Sequence, residues 1–144
     1  MSVYLLDVNV LIAMAWPRHS SHGAVQQWLA GQPKRGWATC PFTQAGFVRI
    51  ISNPAFSRDA LAPEQALSLL RANLEHPAHE FWPATLTVNQ ALANVDKVLG
   101  HQQITDAYLL GLAILNKGRL ATLDRAAASL LPANMARSRI EVIG

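Results

Sequence analysis

The chain has 144 residues, enough for a single domain, predicted over residues 1–144, with a substantial core. Hydrophobic residues make up 51% of it and charged residues 15%, a balance that excludes a disordered chain. The longest apolar stretch, residues 107–115, is too short to span a membrane, and the N-terminus has no basic run. A soluble cytoplasmic protein is expected. Cys40 is the only cysteine, which excludes an internal disulfide and a cysteine-based metal site.

Lysine and arginine outnumber aspartate and glutamate by 12 to 9, which gives a net charge of +3. A positive balance suits a polyanionic partner such as a nucleic acid. The cations are scattered along the chain without a basic run, so an ordinary basic surface is the simpler explanation.

The predicted elements alternate between strands and helices. Strands are predicted over residues 3–6, 36–40, 79–82, 119–122 and 140–143. Helices are predicted over residues 10–16, 23–30, 104–117 and 125–131, with three more that begin at Thr43, Pro63 and Thr87. Asn53 and Gly100 end the first and third of these, and Gly118 ends the helix over 104–117 as its C′ residue. This alternation predicts an α/β fold with a mostly parallel sheet and helices on both faces.

Three aspartates stand where such a fold places functional sites. Asp7 directly follows the first strand, Asp124 lies just past the strand over 119–122, and Asp106 is in the first turn of an apolar helix. Sites in open α/β sheets lie at the carboxyl ends of the strands. All three acids adjoin segments expected in the core, so they are predicted to be the acids least able to reach water.

Each acid also has a purely structural explanation. Asp7 and Asp124 precede helices and are good N-caps, and the macrodipole stabilises a carboxylate at the position of Asp106. Buried carboxylates that lie close together repel one another unless a cation neutralises them. Oxygen ligands without cysteine point to Mg²⁺ or Mn²⁺, the ions used for phosphoryl chemistry.

The motifs resemble a known family. The segments LLDVNVLIAM (residues 5–14), ITDAYLLGLA (104–113) and LATLD (120–124) resemble the first, third and fourth acidic motifs of PIN-domain ribonucleases. The segments WATCPFTQAGFVRIISNP (37–54) and HPAHEFWP (76–83) resemble the mycobacterial-type branch of the VapC toxins. The resemblance covers nearly the whole chain and implies a PIN-like three-layer sandwich with a central sheet of four to five strands flanked by helices.

The resemblance also assigns residues. It implies that Asp7, Asp106 and Asp124 are the metal-binding and catalytic acids, that Asn9 is a polar partner, and that Thr122 is the hydroxyl residue before the last acid.

The second motif departs from the family pattern. Where members usually carry a glutamate, this chain has Thr43, Gln44, Ala45 and Gly46. Gln44 still offers an amide oxygen, and Arg49, later on the same helix, is a candidate phosphate contact or an ordinary surface residue. With one acid fewer, metal dependence in the millimolar range is expected.

The family implies a mechanism and partners. Mg²⁺ or Mn²⁺ held by the acids would activate a water for in-line attack on an RNA phosphodiester. VapC-type toxins pair as homodimers and are held inactive by a small VapB-type antitoxin. The alternative left open by the missing glutamate is a catalytically weak or inactive PIN-like module that binds RNA or an antitoxin.

Other sites and classes are less well supported. A haloacid-dehalogenase-like phosphatase would need a second aspartate where Asn9 stands, and a response-regulator receiver would need paired acids and a late lysine on a strand. The pairs His19/His22 and His76/His79 have ligand-like spacing but no third ligand, so surface loop histidines are expected. His101 is expected in a loop at the entry to the helix of Asp106.

Overall fold

A computed structural model of the chain describes residues 3–31, 36–93, 95, 98 and 100–144. Five strands form one fully parallel sheet in the order β3-β2-β1-β4-β5. The strands are Tyr4–Leu6 (β1), Trp37–Thr39 (β2), His79–Phe81 (β3), Arg119–Thr122 (β4) and Ile140–Val142 (β5). The predicted α/β class and all five predicted strands are confirmed.

Helices cover both faces of this sheet. They are Val8–Ala15 (α1), His22–Ala30 (α2), Pro41–Ile51 (α3), Pro63–Leu74 (α4), Val88–Leu92 (α5), Ile104–Leu115 (α6) and Ala133–Arg139 (α7). Two 3₁₀ turns, His101–Gln103 and Arg125–Leu130, flank the segment of α6 and β4. No helix in the described part of the chain is long and apolar enough to cross a membrane.

Side chains that alternate along β1 divide the core into two layers. Leu5 points into the layer that contains the buried residues of α6, while Tyr4 and Leu6 point into the layer of α1, α3 and α4. All three side chains are at most 1% exposed, because β1 is central and helices cover it on both sides. This explains why β1 is a continuous apolar run.

The register of the sheet brings three strand ends side by side. Leu5 pairs with Ala38 of β2, and Leu6 pairs with Ala121 of β4. Asp7 continues the pairing, since its N–H donates to the carbonyl of Ala121 at 2.9 Å. The residues that follow β1, β2 and β4 therefore meet at one edge.

The start of α3 differs from its prediction. The helix begins at Pro41, with Cys40 as the N-cap residue, so Thr43 does not cap it from outside. Thr43 lies in the first turn instead, and its hydroxyl accepts a hydrogen bond from the N–H of Cys40 at 3.0 Å. Proline suits the first helical position because it has no N–H to satisfy.

The end of α6 also differs. The residue in the left-handed region is Lys117, with φ of 57°, and not Gly118. The N–H of Gly118 donates to the carbonyl of Ala113 at 2.8 Å, as the residue after the C′ position does in a Schellman motif. Gly118 is required for space, because a Cβ there would lie 2.5 Å from the carbonyl oxygen of Val3.

Three further segments refine the predictions. Thr87 caps α5 as expected, with its hydroxyl accepting from the N–H of Gln90 at 3.1 Å, but α5 ends at Leu92. Residue 99, which the prediction included in this helix, lies outside the described residues. The predicted helix over 125–131 is a 3₁₀ turn, and α7 was missed because Ala136 is its only buried residue and leaves no apolar stripe to detect.

Gly111 sets how closely α5 and α6 pack. A Cβ at this position would lie 2.5 Å from the carbonyl oxygen and 2.8 Å from the Cα of Ala91, both backbone atoms of α5. The close approach fixes the position of α6, the helix that carries Asp106.

Replacing Gly111 with alanine should therefore push α5 away, and we expect Gly111→Ala to lower the free energy of unfolding by about 1–3 kcal/mol despite the better helix propensity of alanine. Urea denaturation measures this. The control is Gly23→Ala in α2, where a Cβ meets nothing within 4 Å and stability should hold or rise. Equal stability of the two variants would contradict the close packing.

Candidate active site

The buried polar side chains of the described residues collect at one edge of the sheet. They are Asp7, Thr39, Thr43 and Thr122, and each is at most 4% exposed. Asp7 follows β1, Thr39 ends β2, Thr122 ends β4 and Thr43 lies in the first turn of α3. Polar groups persist in a dry interior where hydrogen bonds satisfy them, so this edge carries an organised polar site.

Asp7 is held by two hydrogen bonds at the start of α1. Its Oδ1 accepts from the N–H of Val8 at 2.7 Å, and its Oδ2 accepts from the hydroxyl of Thr122 at 2.8 Å. Burial raises the pKa of Asp7 above its usual range, both hydrogen bonds oppose this, and the charge of Asp124 adds to it. The capping role expected for Asp7 and a role in the site are thus combined in one side chain.

Thr122 connects two of the predicted acids. Its hydroxyl donates to Asp7, and its oxygen accepts from the backbone N–H of Asp124 at 3.0 Å. Because one hydroxyl serves as donor and acceptor at once, it sets the separation between the end of β1 and the turn after β4.

Asp106 approaches the same edge from the first turn of α6. Its pKa is raised from 3.8 to about 7, mainly by burial and also by the negative charges of Asp7 and Asp124. Among the described residues, the Asp106 carboxylate has no hydrogen bond or ion pair to offset these effects. Because charge coupling falls with distance, the three predicted acids lie near one another. Metal binding by them stays a prediction.

Asp124 differs from its prediction in exposure. It is an exposed residue, whereas burial similar to that of Asp7 was expected. The reason is its position two residues after the end of β4. There it caps the following 3₁₀ turn by accepting from the N–H of Ala126 at 2.9 Å. It borders a cleft of about 410 Å³ that is also lined by His101 and Gln103. The edge of the sheet near Asp7, Asp106 and Asp124, called the acidic edge below, therefore opens to solvent on this side.

The donor chemistry of this edge fits a divalent cation. Carboxylates that lie near one another gain from a positive charge, and carboxylate oxygen is the ligand that Mg²⁺ and Mn²⁺ prefer. In the described ranges, no three carboxylate, imidazole or thiolate groups stand close enough to hold one ion between them. Mg²⁺ is often bound through one or two carboxylates with water in the other positions. The residues therefore suit a largely hydrated ion better than a caged one.

The structure distinguishes the two positions that could replace the missing glutamate. Gly46 is buried, and a Cβ there would lie 3.0 Å from Cγ2 of Val8, so any side chain at this position would have to displace Val8. Gln44 is half-buried in the first turn of α3, where its amide nitrogen donates to the hydroxyl of Thr39 at 3.0 Å. Gln44 is thus the residue of the second motif that reaches this edge.

The remaining predicted site residues are peripheral. Asn9 is exposed on the first turn of α1, and its side chain makes no hydrogen bond to the described residues. Arg49 is exposed in the last turn of α3, about 12 Å along the helix from Pro41, so it lies away from the acidic edge.

His79 was wrongly expected to be a surface loop residue. It begins β3 and is half-buried, and its Nε2 lies 2.8 Å from the hydroxyl of Thr39. Sequence analysis missed Thr39 as well. The signal available was that both residues fall on predicted strands, but the pairing of those strands cannot be read from local periodicity.

Comparison with known proteins identifies the family. The sequence matches the PIN domain over residues 4–130. The chain belongs to the PIN-domain family. Ribonuclease VapC39 of Mycobacterium tuberculosis is 42% identical over 133 residues, which cover 91% of this chain and 95% of that protein. Ribonuclease VapC44 of the same organism is 39% identical over 125 residues, covering 86% and 87%.

A solved structure has a similar fold. The crystal structure of VapBC2 from Rickettsia felis, bound to a DNA fragment from its promoter, aligns with a TM-score of 0.61 over 99% of both chains. At 15% identity this likeness concerns the fold alone. The VapC resemblance predicted from the acidic motifs is confirmed by the relatives, and the PIN-like sandwich by the structure.

The Thr122 bridge can be tested by removing its hydroxyl. Thr122→Val would leave a carboxylate oxygen of Asp7 and the N–H of Asp124 without their partner, so we expect it to lower the free energy of unfolding by about 1–3 kcal/mol. Chemical denaturation of the metal-free protein measures this. Thr122→Ser keeps the hydroxyl and should recover most of the loss. A valine variant as stable as the unmodified protein would contradict a stabilising role for the bridge, because valine keeps the methyl group of threonine and lacks only the hydroxyl.

The raised pKa of Asp106 predicts a pH dependence of stability. The folded protein retains a proton between pH 3.8 and about 7 that the unfolded chain has released, so stability from this group is lost as pH rises through that window. Without metal, Asp106→Asn should be more stable than the unmodified protein at pH 8, and the difference should shrink toward pH 5. Thermal unfolding at both pH values measures it.

The matched control is Asp59→Asn, which removes an exposed carboxylate that pairs with Arg18 away from the acidic edge. It should stay within about 0.5 kcal/mol of the unmodified protein at both pH values. An Asp106→Asn variant that is less stable than the unmodified protein at pH 8 would contradict the unfavourable burial of this carboxylate.

Proposed function

We propose that this chain, as a single PIN-like domain, is a metal-dependent endoribonuclease that acts as the toxin of a toxin–antitoxin pair. The observation that carries the proposal is the acidic edge, where burial and the negative charges of Asp7 and Asp124 together raise the pKa of Asp106 to about 7. The relatives named ribonucleases support the reaction class, since they match the chain over most of its length. A net charge of +3 is compatible with an RNA substrate.

The chain's own residues would divide the work of hydrolysis. Asp7, Asp106 and Asp124 would hold Mg²⁺ or Mn²⁺, with Thr122 fixing Asp7 relative to Asp124. The bound ion would supply an activated water and stabilise the leaving oxygen of the phosphodiester. Asp106, whose carboxyl has a pKa of about 7 without metal, would lose its proton as the ion is bound.

Partners follow from the family and from the surface. The VapBC2 structure contains both members of a toxin–antitoxin pair, and a VapB-type antitoxin is the partner we propose for this chain. A homodimer is proposed on the same family grounds. Exposed apolar side chains provide surface for such contacts. They include Phe42, Phe56, Phe81, Val88, Leu115 and Met135.

A PIN-like module that binds RNA or an antitoxin without cleaving is the second candidate. It is favoured by Gln44, which stands where a fourth acid would be, and by the absence of three ligand groups around one point in the described residues. The two candidates differ in one outcome, because only the first requires metal-dependent strand cleavage.

Cleavage of labelled structured RNAs with Mg²⁺ or Mn²⁺ tests the proposal. We expect cutting that EDTA abolishes and that Asp106→Asn reduces by at least about 100-fold, because the variant removes one of the acids that hold the ion. Asp59→Asn, purified in parallel, should cut normally and so exclude a contaminating nuclease. Binding of RNA without any cutting would replace the ribonuclease with the binding module.

The missing acid predicts a weak affinity for Mg²⁺, which one substitution should increase. The unmodified protein should require millimolar Mg²⁺, and Gln44→Glu should lower the half-saturating concentration roughly fivefold or more, since one charge at 4 Å contributes about 1 kcal/mol even in bulk water. Cleavage at graded Mg²⁺ concentrations measures this. Tight binding of two ions by the unmodified protein would contradict the expectation.

A further inference from the structure

Gln44 belongs to a chain of hydrogen bonds that starts away from the acids. Its Nε2 donates to Oγ1 of Thr39 at 3.0 Å, and the same Oγ1 lies 2.8 Å from Nε2 of His79. Thr39 is 0% exposed, so its hydroxyl has only these protein partners within the described residues. The chain crosses from α3 over the end of β2 to the start of β3.

The orientation of the Gln44 amide depends on where the protons lie in this chain. A hydroxyl has one proton to donate and two lone pairs that accept. If Nε2 of His79 is an acceptor, the hydroxyl proton of Thr39 is used on His79, and Gln44 must present its NH₂ group to Thr39. If Nε2 of His79 carries a proton, Thr39 can donate to the amide oxygen instead, and the amide can be reversed.

The surroundings of His79 decide between these arrangements. Burial is the main effect on its pKa and lowers it, so the ring is neutral near pH 7 and has a single N–H. The backbone of Leu74 hydrogen-bonds to the ring and raises the pKa, which identifies the Leu74 group as an accepting carbonyl. Since Nε2 faces Thr39, the nitrogen left for Leu74 is Nδ1. The one proton of the neutral ring is therefore on Nδ1, and Nε2 accepts from Thr39.

The direction of the chain then runs from Gln44 to Leu74. The amide NH₂ of Gln44 donates to Thr39 at the end of β2. The amide oxygen of Gln44 has no hydrogen bond among the described residues. On the side of β1, the helix of Gln44 packs against Val8, the residue after Asp7. The carbonyl end of the amide is the end available to the acidic edge.

We propose that Thr39 and His79 are positioning residues that hold the amide oxygen of Gln44 toward a hydrated cation at the acidic edge. This inference rests on the proposed metal-dependent function and assigns roles to two residues that do not touch the ion themselves. An amide can bind a hard cation only through its oxygen, so a reversed amide would present NH₂ to the ion and weaken its binding. A carboxylate has two equivalent oxygens and needs no such orientation.

This asymmetry provides a double-mutant test. We expect Thr39→Val to weaken Mn²⁺ binding by the RNA-free protein about tenfold, the size of effect that outer hydrogen-bond partners commonly have. Combined with Gln44→Glu, the same Thr39→Val substitution should change Mn²⁺ affinity by less than about twofold, because either carboxylate oxygen can face the ion. Thr39→Ser, which keeps the hydroxyl, should bind Mn²⁺ as the unmodified protein does. Free Mn²⁺ measured by electron paramagnetic resonance gives the affinities.

A second measurement needs no substitution and so does not depend on how well Thr39→Val folds. The ¹⁵N chemical shifts of the His79 ring near pH 7 report its tautomer, and we expect the proton on Nδ1 and a bare, hydrogen-bonded Nε2. A proton on Nε2 would overturn the inference, because the hydroxyl proton of Thr39 would then be free for the amide oxygen of Gln44, and His79 would no longer fix the orientation of the amide.

The outcomes separate this inference from the function beneath it. Equal losses of Mn²⁺ affinity from Thr39→Val in both backgrounds would assign Thr39 a general structural role and overturn the positioning role, while metal-dependent cleavage stood. Failure of the unmodified protein to bind Mn²⁺ at all, or Mn²⁺ binding unaffected by Asp106→Asn, would overturn the proposed metal site and this inference with it.

Discussion

One hydroxyl group, that of Thr122, ties the acidic edge together. It joins Asp7 to the backbone of Asp124 across 115 positions of sequence, with donor and acceptor distances of 2.8 and 3.0 Å. Its position depends on the parallel register of β1 and β4, in which Leu6 pairs with Ala121. A shift of this register by one residue would turn the hydroxyl to the other face of the sheet and separate the two acids. The central strand pairing is thus the constraint on which the site depends.

The same edge gathers groups that are unfavourable in a folded interior. Asp7 is nearly fully buried and the pKa of Asp106 is raised to about 7, so the metal-free protein holds negative charge where it is poorly solvated. The surrounding core supplies the compensation, since α6 is buried along most of its length and packs against α5 through Gly111. A cation would relieve the repulsion, which links the stability of the protein to its proposed function.

Much of the fold and part of the site could be predicted from the sequence. Apolar runs ended by Asp7 and Asp124, together with strand and helix alternation, locate both acids at the carboxyl edge, because parallel strands share that edge. Gln44 was recognised as a departure from the family pattern, but only the tight packing of Gly46 against Val8 disfavours a side chain at that second position. The exposure of Asp124 was not foreseen, since strand periodicity says nothing about the turn beyond the strand.

The hydrogen-bond chain through His79, Thr39 and Gln44 could not be predicted from the sequence. It requires the pairing of Thr39 with Phe81 in neighbouring strands, and that register is set by tertiary packing and not by residue spacing. The start of α3 at Pro41 was missed for a related reason, because Thr43 is a good cap by residue type, yet the chain enters the helix directly from β2. Local preferences gave the kinds of element, and long-range contacts fixed their ends.

If Asp7, Asp106 and Asp124 form one electrostatically coupled site that a divalent cation neutralises, Mg²⁺ must change the protonation of Asp106. Titration of the ¹³C carboxyl signal of Asp106 with and without Mg²⁺ measures this. We expect a pKa of about 7 in the metal-free protein. Saturating Mg²⁺ should lower this pKa, since a nearby opposite charge stabilises the ionised form. A pKa that Mg²⁺ leaves unchanged would show that no cation binds beside Asp106.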